Sequence, residues 1–167
     1  PGCWLLPHGA VEQMPGFAAG AFTVQDAASQ LAVLAAGPRP GQDVRDACAA
    51  PGGKSFACAA RMENRGRLTS CDLHGHKLRL IEAGAERLGV TCLTAQQQDA
   101  SAYNPAWEAR FDLVLADVPC SGLGVIRKKP DIRYKDVAAL AGLPAVQRCI
   151  LANLSRYVRP GGTLLYS

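Results

Sequence analysis

Long apolar runs and paired cysteines are both missing from this sequence, and each absence narrows the class of protein. No apolar run approaches the roughly 18 residues that a membrane-spanning helix requires. The seven cysteines include no Cys-x-x-Cys pair, which argues against a zinc site and against a disulfide framework. The sequence therefore favours a cytoplasmic protein with no bound metal.

The chain is long enough for one folded domain, and its charge is mildly basic. Of its 167 residues, 49% are hydrophobic, which suffices for one substantial core. The formal net charge of +4 permits a nucleic-acid partner without requiring one. One short segment contains five basic residues, namely Arg127, Lys128, Lys129, Arg133 and Lys135. By charge alone this segment is either a nucleic-acid contact or a solvated loop.

The most informative stretch is residues 44–55, which read Val-Arg-Asp-Ala-Cys-Ala-Ala-Pro-Gly-Gly-Lys-Ser. A short apolar run ends at Asp46, a Pro-Gly-Gly turn follows, and a helix is predicted to begin near Ser55. Gly52 and Gly53 allow the backbone to approach a ligand closely, and the free amides at a helix start attract polar or negative groups. The stretch therefore predicts a ligand-binding loop between a strand and a helix.

Two common nucleotide-binding motifs match this loop only in part. Its final Gly-Lys-Ser resembles the end of a phosphate-binding P-loop, but Cys48 stands where that motif needs its first glycine. Ala49 and Ala50 likewise occupy positions where the dinucleotide fingerprint needs glycines. A nucleoside-type ligand is therefore favoured. A P-loop-like nucleotide triphosphatase stays open as an alternative, because the apolar strand that ends at Asp117 resembles the strand that holds magnesium in such enzymes.

Strands and helices alternate along the predicted secondary structure. After an irregular lead-in over residues 1–22, Thr23 can cap a helix that extends to about residue 36. Further helices are predicted over residues 55–61, before Gly89 and after Pro144. Strands are predicted to end at Asp46 and Asp117, to cover residues 67–72 and 90–95, and to follow Gly162. This alternation predicts an α/β fold, a mostly parallel sheet with helices on both faces.

Four carboxylates are predicted to lie at one edge of this sheet. Asp46, Asp72 and Asp117 each end a predicted strand, and Asp99 follows another. Ligands of parallel sheets bind at the carboxyl ends of the strands, and an acid about 20 residues beyond a glycine loop is placed to accept hydrogen bonds from ribose hydroxyls. Asp72 meets that condition. Asp99 could accept from an adenine amino group, and Asp117 lies nearer the reacting end.

The loop after Asp117 contains a candidate nucleophile. It reads Val-Pro-Cys-Ser-Gly over residues 118–122. A thiolate at this edge could attack carbon 6 of a cytosine and so activate carbon 5 toward a methyl donor. Position alone makes Cys120 the nucleophile, and the alternative is a buried structural cysteine.

These residues together resemble the Sun-type (Fmu, NSUN-like) family of S-adenosylmethionine-dependent RNA cytosine-5 methyltransferases. The resemblance rests above all on residues 46–54 and 117–122, and extends to residues 24–26 and 159–162. Residues 124–133 are most similar to the bacterial RsmB branch, which modifies small-subunit ribosomal RNA.

The resemblance implies a Rossmann-like methyltransferase fold over residues 23–167, with S-adenosylmethionine as cofactor and RNA, ribosomal RNA in particular, as partner. It implies that the methionine part and sugar of the donor contact Cys48, Ala49, Ala50, Pro51, Gly52, Gly53 and Lys54. It further implies that Asp72 binds the ribose, Asp99 the adenine, and Asp117 the donor or the target base. The basic segment becomes the main expected RNA contact.

The resemblance also changes the role of Cys120. In this family the Pro-Cys cysteine assists product release, and the attacking cysteine lies in a Thr-Cys pair directly after a Tyr-Ser strand end. The chain ends on Tyr166 and Ser167, so we expect a methyltransferase domain that is truncated before the last strands. Such a chain should bind the donor without turnover. A non-catalytic RNA-binding fragment stays open as an alternative.

Overall fold

The computed structural model describes residues 10–126, 129–135 and 138–167. Within these residues five parallel strands form one sheet in the order β3-β2-β1-β4-β5. The strands are β1 (Asp43–Asp46), β2 (Arg67–Asp72), β3 (Leu93–Gln97), β4 (Phe111–Ala116) and β5 (Val158–Tyr166). The predicted α/β class with a parallel sheet is confirmed.

Helices cover both faces of the sheet. They are α1 (Ala27–Ala36), α2 (Gly53–Arg61), α3 (Gly75–Arg87) and α4 (Leu143–Ser155). Along β4, Leu113 and Leu115 pack in the core cluster that contains residues of α1 and α2, whereas Val114 and Ala116 pack with Ile150 of α4. Because successive side chains of a strand point to opposite faces of the sheet, α4 lies on one face and α1 and α2 lie on the other. None of the helices in the described residues combines the length and the hydrophobicity that a membrane span requires.

Several predicted boundaries are wrong by a few residues. Strand β5 begins at Val158, which already pairs with Phe111 of β4, so residues 159–162, predicted to precede this strand, are part of it. Asp26, rather than Thr23, is the N-cap of α1, because its side chain accepts a hydrogen bond from the amide of Ala28 at 2.9 Å. The strand predicted over residues 90–95 lies at Leu93–Gln97, because its ladder with β2, rather than its apolar content, fixes its bounds.

The segment that leads into α1 is attached to the end of α3. Arg87 donates hydrogen bonds to the carbonyl oxygens of Phe17 and Phe22, at 2.8 and 3.1 Å, and its guanidinium lies 4.0 Å from the centroid of the Phe17 ring. A Cβ atom at Gly20 would stand 1.8 Å from the carbonyl oxygen of Arg87. These contacts fix the path of the chain into α1.

Strand β1 buries a charged side chain that the sequence did not lead us to expect. Arg45 is fully buried, and its guanidinium carbon lies 3.9 Å from the centroid of the Trp107 ring and 4.8 Å from that of Tyr157. Burial lowers the pKa of Arg45. The two aromatic faces compensate part of the lost hydration, so the sheet can hold this cation beneath α4.

Candidate functional site

Three carboxylates lie at the carboxyl ends of neighbouring strands, as predicted. Asp46 ends β1, Asp72 ends β2, and Asp117 directly follows β4. Because these strands are adjacent and parallel, the three residues share one edge of the sheet. Asp99 follows β3 by two residues, at the same end. This edge is the candidate site.

The turn after β1 depends on Gly52. Its φ of +110° is a conformation that residues with side chains rarely adopt, and a Cβ atom there would stand 2.4 Å from the ring of Phe56. Helix α2 begins at Gly53, earlier than the predicted start at Ser55. The first amides of α2 have no carbonyl partner within the helix and are available to a ligand.

A cavity of about 220 Å³ lies beside this turn. Its lining includes seven of the predicted site residues, namely Cys48, Ala49, Ala50, Pro51, Gly53, Lys54 and Asp117. Gly52, Asp72 and Asp99 lie outside the lining. The cavity wall also includes Asp46, which was predicted to lie at this edge, and four residues to which the sequence assigned no role, namely Val24, Gln25, Asp26 and Ser29. The match of residues 24–26 to the family pattern was the signal that could have found the first three.

Lys54 and Asp117 form an ion pair across the cavity wall. Lys54 Nζ lies 2.5 Å from Asp117 Oδ2 and 3.4 Å from Ser29 Oγ. The other carboxylate oxygen of Asp117 accepts a hydrogen bond from Ser167 Oγ at 2.9 Å. The ammonium is therefore engaged by a carboxylate, whereas the lysine of a P-loop must reach the phosphates.

Asp46 is the most deeply buried carboxylate of the site. It is 1% exposed, and its Oδ2 accepts a hydrogen bond from Ser55 Oγ at 2.7 Å. Ser70 Oγ donates in turn to Ser55 Oγ at 2.8 Å. Burial raises the pKa of Asp46 to about 6, against the smaller opposing effect of the Ser55 hydrogen bond. Its Oδ1 is buried and has no hydrogen-bond partner in the described residues.

Asp72 and Asp99 differ in their attachment to the ligand loop. Asp72 accepts hydrogen bonds from the amides of Ala50, at 3.3 Å, and His74, at 3.0 Å. It is therefore tied to the loop that follows β1. Asp99 is exposed and accepts from the amide and the hydroxyl of Ser101 at 2.8 and 2.7 Å, which lowers the pKa of Asp99.

The two cysteines of the site have different environments. Cys120 is exposed, so the alternative of a buried structural cysteine is wrong. Gln147 and Lys135 donate side-chain hydrogen bonds to the backbone carbonyls on either side of it, at 2.9 and 3.1 Å. Cys48 is half-buried in the cavity wall, and burial raises its pKa to about 12. Cys48 is therefore a neutral thiol at neutral pH, and of the two only Cys120 is open to a substrate.

The described part of the basic segment lies against the Cys120 loop. Ile132 is buried, and a Cβ atom at Gly122 would stand 3.4 Å from its Cδ1. Lys129, Arg133 and Lys135 are exposed. The remaining two basic residues predicted to bind RNA, Arg127 and Lys128, lie outside the described residues.

The fold and this edge of the sheet define a class, the Rossmann-like S-adenosylmethionine-dependent methyltransferases. An S-adenosylmethionine-dependent O-methyltransferase from Thermotoga maritima aligns with a TM-score of 0.60 over 85% of this chain and 43% of that one, and its 14% identity shows the fold alone. The residues present fit such a donor. The cavity has room beside Gly53, and a buried carboxylate oxygen of Asp46 has no hydrogen-bond partner in the described residues. Asp72 accepts a hydrogen bond from the amide of Ala50, in the loop that follows β1.

Residues 33–167 match the family described as 16S rRNA methyltransferase RsmB/F, and the chain belongs to that family. A probable ribosomal RNA small subunit methyltransferase B of Bacillus subtilis is 46% identical over 153 residues, which are 90% of this chain and 34% of that protein. NSun6 of Pyrococcus horikoshii, solved with the S-adenosylmethionine analogue SFG, is 28% identical, with a TM-score of 0.85 over 94% of this chain and 40% of that one. The chain thus spans about a third of the length of its curated relative.

Proposed function

We propose that this chain is the donor-binding part of an RNA methyltransferase that transfers a methyl group from S-adenosylmethionine to carbon 5 of a cytosine, in small-subunit ribosomal RNA. Membership of the RsmB/F family supports an RNA substrate. The observation that carries the proposal is the contact between Lys54 and Asp117. It joins the ligand loop to the Pro-Cys loop, so that donor and target base would meet at one place.

Different side chains of the site bind different parts of the donor, whose sulfonium supplies the electrophilic methyl group. Asp72 holds the ribose while its hydrogen bond to the amide of Ala50 keeps the loop in place. Residues 48–54 surround the methionine part, and Asp99 accepts from the adenine. Asp117, already oriented by Lys54 and Ser167, faces the reacting end.

Cys120 is proposed to assist product release rather than to attack the base. The attacking cysteine is proposed to follow Ser167 in the longer polypeptide. Ser167 pairs with the strand end before the Pro-Cys loop, since its amide donates to Ala116 O at 3.1 Å and its carbonyl accepts from the amide of Val118 at 3.0 Å. A residue directly after Ser167 would therefore lie near Asp117.

Donor binding is tested by calorimetric titration with S-adenosylmethionine and, separately, with magnesium-ATP. We expect S-adenosylmethionine to bind and Asp72→Ala to weaken it about 10- to 100-fold, because hydrogen bonds to a charged group are lost. Asp72→Asn keeps an oxygen acceptor and should lose less. Binding of magnesium-ATP without S-adenosylmethionine would favour the triphosphatase alternative, which the family match does not support. Turnover of cytosine-containing RNA by this chain, abolished by Cys120→Ala, would contradict the role given to Cys120.

The basic segment is proposed to bind RNA phosphates. For a cytosine-containing single-stranded RNA, Lys129→Gln combined with Arg133→Gln should reduce the slope of log affinity against log salt by about 0.7 for each phosphate that the variant no longer neutralises. Arg79→Gln on α3 removes one exposed charge outside the basic segment and serves as the control. An affinity that does not change between low and physiological salt would exclude this assignment and leave the segment a solvated loop. A cytoplasmic location stays a prediction.

A further inference from the structure

Two side chains of the cavity wall have buried polar atoms without a hydrogen-bond partner in the described residues. They are Gln25 Nε2 and Asp46 Oδ1. Leaving buried donors and acceptors unpaired destabilises a protein, and so such atoms are few and usually serve a purpose. One is an amide donor and the other a carboxylate acceptor. A ligand that offers an acceptor and a donor together would pair with both atoms.

The other charged groups of the wall are already engaged. Lys54 contacts Asp117 at 2.5 Å, and Asp117 also accepts from Ser167. Asp26 accepts from the amide of Ala28 at the start of α1. Gln25 and Asp46, in contrast, each keep a polar atom that can form a hydrogen bond with a ligand. Three carboxylates against one ammonium also make the wall unfavourable for a ligand with net negative charge, such as a phosphate, but not for a group that carries both signs.

Gln25 lies where the glycine loop leaves room for it. A Cβ atom at Gly53 would stand 3.7 Å from Gln25 Nε2, so the carboxamide is next to the first turn of α2. Free amides of that turn favour a negative group at the same place. The donor atom of Gln25 and the helix start therefore select the same kind of partner, a carboxylate.

We propose that Gln25 is a specificity-determining residue that binds the α-carboxylate of the methyl donor, while Asp46 binds the α-ammonium of the same amino-acid group. The inference rests on the proposed function, since it takes the ligand to be S-adenosylmethionine. An α-amino acid offers an acceptor and a donor on one carbon, which matches the two unpaired atoms. The site would therefore recognise the amino-acid end of the donor and distinguish it from nucleosides that lack that end.

The test is calorimetric titration of the full chain with S-adenosylmethionine, decarboxylated S-adenosylmethionine and 5′-methylthioadenosine. Wild type should bind S-adenosylmethionine about 10- to 100-fold more tightly than the decarboxylated form. In Gln25→Leu that ratio should fall to about threefold or less, with the affinity for methylthioadenosine unchanged. Asp46→Asn should weaken both ammonium-bearing ligands alike, because each retains the group that Asp46 binds.

Two further variants keep the result interpretable. Gln25→Glu keeps the size of the side chain but places a negative charge there, and should weaken S-adenosylmethionine more than the decarboxylated form. Gln96→Leu, on β3 and outside the cavity lining, should change none of the affinities. If Gln25→Leu and Gln25→Glu lost affinity equally for all three ligands, Gln25 would have a structural role. That result would overturn this inference but not the proposed function. If wild type bound none of them, the proposed function would fail as well.

Discussion

Replacing Gly52 by alanine is expected to destabilise the chain by roughly 3 kcal/mol or more, which is large for one methyl group. At φ +110° an alanine is strained, and its Cβ would stand 2.4 Å from Cζ of the buried Phe56 ring. The same ring leaves no space for a side chain at Gly84 of α3, where a Cβ would also stand 2.4 Å from Cζ of Phe56. The ring is therefore held between two glycines and has no room to move away.

Gly53→Ala is the matched comparison, and its expected result is different. A Cβ atom there would meet nothing closer than 3.7 Å, and Gly53 is the first residue of α2. Stability should stay the same or rise by up to about 1 kcal/mol, because alanine favours helix. Affinity for S-adenosylmethionine should nevertheless fall, by about tenfold, because the methyl group enters the cavity beside Gln25.

Urea denaturation of wild type, Gly52→Ala, Gly53→Ala and Gly84→Ala, followed by titration of the folded variants, measures both properties. Gly84 has no positive φ, so Gly84→Ala isolates the steric clash with Phe56 from the backbone strain at Gly52. Equal stability of Gly52→Ala and wild type would show that the turn does not need its positive φ. Full donor affinity of Gly53→Ala would place the ligand elsewhere.

Much of the sheet edge was predictable, because its signals are local. Asp72 ends β2 and Asp117 directly follows β4, and the carboxyl ends of parallel strands lie at one edge of a sheet. The glycine turn was equally visible, since Gly52 follows a proline and precedes a helix. Site residues on these elements could therefore be found without knowledge of the contacts between them.

The rest depended on distant contacts. Gln25 reaches the cavity because Arg87, far along the chain, holds the segment that precedes it. Thr23 and Asp26 are both residue types that cap helices, so the sequence could not choose between them. Likewise Arg45 reads as a solvent-facing residue of a strand, and only the packing of Trp107 over β1 buries it.

Asp46→Asn is expected to stabilise the chain at pH 8, although Asp46 belongs to the site. Burial raises the pKa of Asp46 from 3.8 to about 6. Between these two values the folded state binds a proton more tightly than the unfolded state, so wild-type stability decreases as pH rises through this range and is lowest above it. The shift corresponds to about 3 kcal/mol. Asparagine has no charge to bury, and part of this destabilisation should disappear.

Urea denaturation of wild type and Asp46→Asn at pH 5, 6, 7 and 8 checks this result. The variant should gain about 1 to 3 kcal/mol over wild type at pH 8 and progressively less toward pH 5, while its affinity for S-adenosylmethionine at pH 8 falls. Asp99→Asn is the control, and its expected change in stability has the opposite sign. Hydrogen bonds from Ser101 lower the pKa of Asp99, so its carboxylate stabilises the fold above the unfolded pKa and its removal should destabilise the chain. A pH-independent difference between wild type and Asp46→Asn would show that the buried carboxylate does not titrate. A gain in stability together with a loss of donor binding would show that the chain retains a destabilising buried charge because the donor needs it.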